Sequence, residues 1–176
     1  MDKIMKKGYV QVYTGDGKGK TTAALGLILR ACGAGLRVYL CQFIKGGIYS
    51  EIKTLKQRFC DVTIQQCGNG CFIKGKPSRK DIELAHRGLR KLRTAVSCRK
   101  YDVVIVDEAN YAVTCGLITT GELLKLIGKK PDNVELVFTG RNASKELIKR
   151  ADLVTEMKEI KHYYKKGIKA RPGIES

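Results

Sequence analysis

The chain has 176 residues, with 34 Lys and Arg against 17 Asp and Glu, a formal net charge of +17. The length suits one domain, and a composition 43% hydrophobic and 29% charged excludes collagen, low-complexity disorder and a pure coiled coil. No apolar stretch approaches the roughly 18–20 residues that span a bilayer, and the opening Met1 to Lys7 lacks a signal-peptide core. A single cytoplasmic domain over 1–176 is expected, with 1–7 as a flexible N-terminus.

Tyr9 to Thr14 is a short β-rich run ending in a glycine cluster, and Thr21 to Ala34 then reads as a helix rich in Ala and Leu. Arg37 to Phe43 predicts the next strand, Ser50 to Arg58 a short helix and Val62 to Gln66 a weaker strand. Residues 67 to 77 carry three glycines and a proline and read as a loop. Ser78 with Asp81 forms a capping-box pattern, in which hydroxyl and carboxylate satisfy free N–H groups, opening a helix that runs to about Cys98. Val103 to Asp107 and Val134 to Thr139 are continuous apolar runs, as expected of strands buried on both faces. A short helix begins at Thr120 between them, another covers Ser144 to Arg150, and Leu153 to Met157 is the last strand. The tail from Lys158 reads as basic and solvated. The alternation predicts an α/β fold with a mostly parallel sheet and helices on both faces.

Thr14-Gly15-Asp16-Gly17-Lys18-Gly19-Lys20-Thr21-Thr22 lies between a predicted strand and a predicted helix. It matches G-x-x-x-x-G-K-[ST] except that Thr14 stands at the first glycine, with extra glycines at 15 and 17. Glycines let backbone N–H groups converge on phosphate oxygens, the helix N-terminus adds its dipole, Lys20 adds a charge, and the Thr21 hydroxyl suits Mg²⁺. Asp107 and Glu108 end a buried strand at the sheet edge where α/β folds bind ligands, and a carboxylate there can hold the nucleotide's metal directly or through water. Arg141 follows another strand end, where a guanidinium reaches phosphate.

Other features carry less. The seven cysteines include Cys67 and Cys71 at C-x₃-C, with no second pair or neighbouring histidine, and read with Cys60 as ordinary loop thiols, reduced in the cytosol. His86 is expected on a helix surface, far in sequence from His162. The basic excess favours anionic partners, but no stacking platform accompanies the tail's charges, so nucleic acid is not expected.

Taken in order, GKGKTTAA, QFIKG, VVIVDEAN, FTGRNA, ADLVTEM and G-I-x-A resemble the ATP:corrinoid adenosyltransferases of the CobA/CobO/BtuR type, from about Gly8 to Glu175. The resemblance implies a P-loop NTPase-like (RecA-like) fold and transfer of the 5′-deoxyadenosyl group of ATP to the cobalt of a reduced corrinoid, releasing triphosphate. It implies that the residues from Gly15 through Thr22 (Gly15, Asp16, Gly17, Lys18, Gly19, Lys20, Thr21, Thr22) hold the triphosphate, with Lys20, Thr21 and Glu108 as the catalytic set. Thr21 and Glu108 would hold Mg²⁺ or Mn²⁺, with Asp107 acting through water. Arg30 and Arg141 match family arginines near the nucleotide, and Asp16 stands where relatives often carry Asn beside the ribose. Gln42, Phe43 and Lys45 are expected near nucleotide and corrinoid. Phe72 and Ile73 replace the family's aromatic segment against the lower corrinoid face. A homodimer and a flavodoxin-like reductant are implied as well. The competing classes are a P-loop nucleoside kinase, whose four zinc cysteines are missing here, and a RecA-like nucleic-acid-binding ATPase, suggested by the +17 charge.

Overall fold

A computed structural model describes residues 5–47, 49–70, 73 and 75–175. Its six strands form one sheet, β1 (Val10–Thr14), β2 (Val38–Phe43), β3 (Val62–Cys67), β4 (Val103–Asp107), β5 (Glu135–Thr139) and β6 (Leu153–Glu156), in the spatial order β3-β2-β4-β5-β1-β6. Every pairing is parallel, so the expected mostly parallel sheet is parallel throughout the described residues. The helices are α1 (Lys20–Gly33), α2 (Ser50–Arg58), α3 (Arg79–Ser97), α4 (Ala109–Thr114), α5 (Thr120–Lys129) and α6 (Lys145–Arg150).

Side-chain alternation along each strand builds two cores. Val38 and Leu40, Val103 and Ile105, and Val137 pack with Ala24, Ile28 and Ala31 of α1 and Ile52 and Leu55 of α2. Tyr39, Cys41 and Phe43, Val104 and Val106, and Leu136 and Phe138 point the other way, against Leu89 and Leu92 of α3 and Leu123 and Leu126 of α5. Strands covered on both faces must be apolar at nearly every position, which is why VVIVD and ELVFT read as unbroken runs. The period of two also aims the site. Gln42, Asp107 and Thr139 continue the α1-side rows, so their polar ends come together beneath the start of α1.

The capping box of Ser78 and Asp81 forms as expected, and Thr119 with Glu122 makes a second at α5. Helix α4 lies outside the expected elements: Ala-Asn-Tyr-Ala-Val-Thr is not directly preceded by Ser, Thr, Asp or Asn, and its N-cap, Glu108, is left-handed at φ 58° and makes no side-chain capping hydrogen bond. Two expectations are corrected. Cys67 is not a loop thiol; it ends β3, is buried, and its sulfur lies 3.5 Å from that of Cys41. The tail is not merely solvated: Tyr163–Lys166 forms a 3₁₀ turn, Arg171 and Tyr163 both hydrogen-bond Glu175, and Lys18 Nζ donates to the Ile174 carbonyl at 3.2 Å.

Candidate active site

Four carboxyl-terminal strand ends meet at one edge, and each is followed by left-handed backbone. Gly15 follows β1, Ile44 follows β2, Glu108 follows β4, and Gly140 with Asn142 follows β5. Such conformations turn the chain sharply and are sparsely populated by residues other than glycine. The β-branched Ile44, at φ 66°, is the most costly of them, and it lets the Lys45 amide donate to the Phe43 carbonyl at 2.6 Å.

The glycine loop is braced from β6. Met157 donates to Thr14 at 2.8 Å and accepts from the Gly17 amide at 2.7 Å. A Cβ on Gly15 would lie 2.5 Å from the Met157 oxygen, and one on Gly17 would lie 2.7 Å away. These glycines are therefore required by close packing as well as by the turn. Lys20 is buried at the head of α1, its ammonium donating to the Gly15 and Gly17 carbonyls at 2.6 and 2.7 Å. Burial first, then the charge of Arg141, hold its pKa below the ordinary lysine value. The Arg141 guanidinium is thus near enough to act on the Lys20 charge. Asp16, Lys18 and Thr22 are exposed around it.

Asp107 is the hub. It is fully buried, and its Oδ1 accepts from the Thr21 hydroxyl at 2.9 Å and the Thr139 hydroxyl at 2.7 Å. Its Oδ2 accepts from Gln42 Nε2 and Lys45 Nζ, both at 3.1 Å. A buried carboxylate is tolerable only when paired and hydrogen-bonded, and here four donors from three segments, the head of α1, the end of β5 and the end of β2 with its following loop, satisfy it. The Thr21 hydroxyl therefore meets Asp107, whereas the family resemblance set Thr21 with Glu108. Glu108 is partly buried beside it, its amide donating to Thr139 Oγ1 at 3.0 Å. Desolvation and then the Asp107 charge raise the Glu108 pKa, against the lowering pull of Lys45, Lys20 and Arg141. For Lys45, burial works against the charge, but Asp107, with Glu108 and Glu51, outweighs it and holds the pKa above the lysine value.

The remaining expected residues divide. Gln42 and Lys45 stand at the Asp107 hub. Phe43 is a correction: it is fully exposed to no solvent at all, lying at 0% accessibility in the α3-side core, because alternation turns it away from the edge that Gln42 faces. Ile73 is partly buried against that same core, and Phe72 lies outside the described residues. Arg30 is exposed in the last turn of α1, ten residues beyond Lys20 and so about 15 Å along the axis. It is not brought to the loop of its own chain. Thr139 and Asn110 were missed, although the signal existed: both sit inside blocks, FTGRNA and VVIVDEAN, that carried the family resemblance. Asn110 is buried, its Nδ2 donates to the Gly140 carbonyl at 3.0 Å, and its Oδ1 is the buried side-chain atom without a partner among the described residues.

Among the described residues no three His, Cys, Asp or Glu side chains gather as a metal cage. The Thr21 hydroxyl and the Asp107 carboxylate are nonetheless hard oxygen donors, the set that suits Mg²⁺ shared with phosphate.

The chain also matches a known family. The profile of ATP:corrinoid adenosyltransferase BtuR/CobO/CobP matches residues 6–176. A corrinoid adenosyltransferase of Sinorhizobium sp. is 36% identical over 98% of this chain and 82% of its own length. One from Pseudomonas aeruginosa is 33% identical over 97% and 84%, and corrinoid adenosyltransferase CobA of Salmonella typhimurium is 29% identical over 97% and 86%.

Proposed function

The chain belongs to the BtuR/CobO/CobP family and is an ATP:corrinoid adenosyltransferase, and from that premise we propose how its residues share the work. The reaction moves the 5′-deoxyadenosyl group of ATP onto the cobalt of a reduced corrinoid. Cobalt(I) is the nucleophile: the cobalt–carbon bond forms at C5′, the C5′–oxygen bond breaks, and its electron pair leaves on triphosphate. No proton has to be removed from the nucleophile, so the protein needs no general base. It must align the two substrates and stabilise the departing charge.

The carrying observation is the buried Asp107 carboxylate hydrogen-bonded to the Thr21 hydroxyl at the head of α1. We assign the triphosphate to the amides of the glycine loop and α1, to Lys20 and to Arg141. Thr21 and Asp107 are assigned to Mg²⁺, with Glu108 beside them at the more exposed side. Bound there, Mg²⁺ supplies positive charge to the leaving triphosphate. Lys20 must turn from the Gly15 and Gly17 carbonyls toward phosphate, and its lowered pKa fits a group that gains from an anionic partner. Gln42 fixes the Asp107 carboxylate, and the 68–76 loop with Ile73 is assigned to the corrinoid. A homodimer and a flavodoxin-like reductant complete the reading; the +17 charge favours encounter with an acidic donor.

The test mixes the protein anaerobically with MgATP and chemically reduced cob(I)alamin, follows adenosylation by absorption and identifies the phosphate product. Adenosylcobalamin with one triphosphate per turnover supports the reading. ADP released on addition of nucleosides or nucleic acid, without adenosylation, overturns it.

A further inference from the structure

The Lys45 ammonium bridges the two groups assigned to the metal. Nζ lies 3.1 Å from Asp107 Oδ2 and 3.4 Å from Thr21 Oγ1. The side chain is 22% exposed and the Asp107 side chain 0%, and among the described residues this is the cation ion-paired with the buried carboxylate. Its reach is set locally. The left-handed Ile44 turns the chain out of β2, and the Gly46 and Gly68 backbones close behind it: a Cβ on Gly46 would lie 2.1 Å from the Gly68 oxygen, and one on Gly68 would lie 1.8 Å from the Ile44 oxygen. The backbone at Lys45 is thereby held against the loop after β3, and the four-carbon side chain carries the ammonium from there to the Thr21–Asp107 pair. The Tyr49 ring, 5.9 Å from Nζ, is its cation–π neighbour.

A divalent cation taking Thr21 and Asp107 oxygens would bring two positive charges against this ammonium at close range, in a partly desolvated site where Coulomb repulsion is strong. Metal and ammonium would compete for the charge of one carboxylate. We propose that Lys45 is the resident counter-cation of the Thr21–Asp107 pair: it holds these groups until metal and nucleotide arrive together, then yields the position and turns its ammonium onto the triphosphate. This deepens the reading above and rests on Thr21 and Asp107 being the metal's ligands. It also makes metal binding depend on nucleotide, because the triphosphate is the anion that takes over the displaced ammonium.

The test uses the full chain and two ligands. Mn²⁺ binding without nucleotide is measured by electron paramagnetic resonance, and MgATP binding by calorimetry, for the parent, Lys45→Met and Lys45→Met/Asp107→Asn, with melting temperatures to confirm folding. Lys45→Met should bind free Mn²⁺ at least threefold more tightly and MgATP at least tenfold more weakly, and the gain in Mn²⁺ affinity should vanish in the double variant. Opposite signs are the signature, since a merely structural role would weaken both together. Mn²⁺ affinity that is unchanged or reduced in Lys45→Met overturns the proposal, as does a gain that survives Asp107→Asn. Unweakened MgATP binding overturns the transfer to triphosphate. A parent chain that binds MgATP but makes no adenosylcobalamin would instead count against the wider assignment.

Discussion

Asn110 and Gly140 are joined by a single hydrogen bond, side-chain amide to backbone carbonyl at 3.0 Å, that ties the head of α4 to the turn carrying Arg141. The contact is close on the backbone side as well, because a Cβ on Gly140 would lie 2.9 Å from the Tyr111 nitrogen. The same turn is held to β1 by the Gly140 amide on Tyr13 and the Ala143 amide on Thr14 Oγ1, at 3.1 and 3.2 Å. Arg141 projects from a strap with anchors on both sides.

Asn110 is therefore expected to act on nucleotide through Arg141. Asn110→Ala removes the α4 anchor and should weaken MgATP binding about tenfold, equivalent to about 1.4 kcal/mol. Asn110→Asp, which sets a carboxylate against the Gly140 carbonyl, should do more harm. Calorimetric titration of a double-mutant cycle decides the route. In an Arg141→Ala background, Asn110→Ala should add less than a twofold loss; fully additive losses would mean that the amide supports the site by some path other than Arg141.

A second expectation concerns the seat of α3 on the sheet. Gly88 is buried in the middle of that helix, and a Cβ there would lie 2.1 Å from Cys67 Sγ and 2.7 Å from Cys67 Cβ. Alanine is the better helix former by about 1 kcal/mol, yet overpacking a filled core costs about 1–3 kcal/mol or more. Packing should win, and Gly88→Ala should lower stability by about 2 kcal/mol in urea unfolding. Adding Cys67→Ala removes the sulfur and should return about half of that. A Gly88→Ala variant as stable as the parent would show that α3 can lift from β3 at little expense.

The strands and the site were legible in the sequence to different depths, for physical reasons. VVIVD and ELVFT announce doubly covered strands because burial on both faces leaves no polar position to blur the run. The glycine loop is legible because close backbone packing admits only glycine at 15 and 17. Helix α4 was hidden because its N-cap is a left-handed glutamate and not a capping side chain. The Thr21–Asp107 contact needed the register. Gln42 stands beside Asp107 across the β2–β4 pairing, and only that alignment shows which of two adjacent acids faces α1 and which begins the next helix. Phe43 was misplaced for the same reason: in a strand, neighbours in sequence face opposite layers, so sharing a motif with Gln42 and Lys45 does not mean sharing their site.

Glu108 supplies the pH-dependent case. Its pKa in the folded chain lies above the ordinary glutamate value of 4.5, chiefly through desolvation and next through Asp107. A carboxyl group with a raised folded pKa favours the folded state only in its protonated form. Below about pH 4.5 it is protonated whether folded or unfolded and costs nothing; as pH rises above that value the cost of the buried charge grows, until the folded group too has ionised. Glu108→Gln should therefore melt higher than the parent at pH 7, by a few degrees at most, since 1 kcal/mol moves a chain of this size by about 2–4 °C. The difference should close as pH falls to 4. Activity should move the other way, with adenosylation at least tenfold slower at saturating MgATP, because the charge that burdens the fold is the one assigned to the metal's side. Matched thermal melts at pH 4 and pH 7, read beside the rate, test both halves. A variant that melts lower than the parent at pH 7 would show that Lys45, Lys20 and Arg141 more than compensate the burial of this carboxylate.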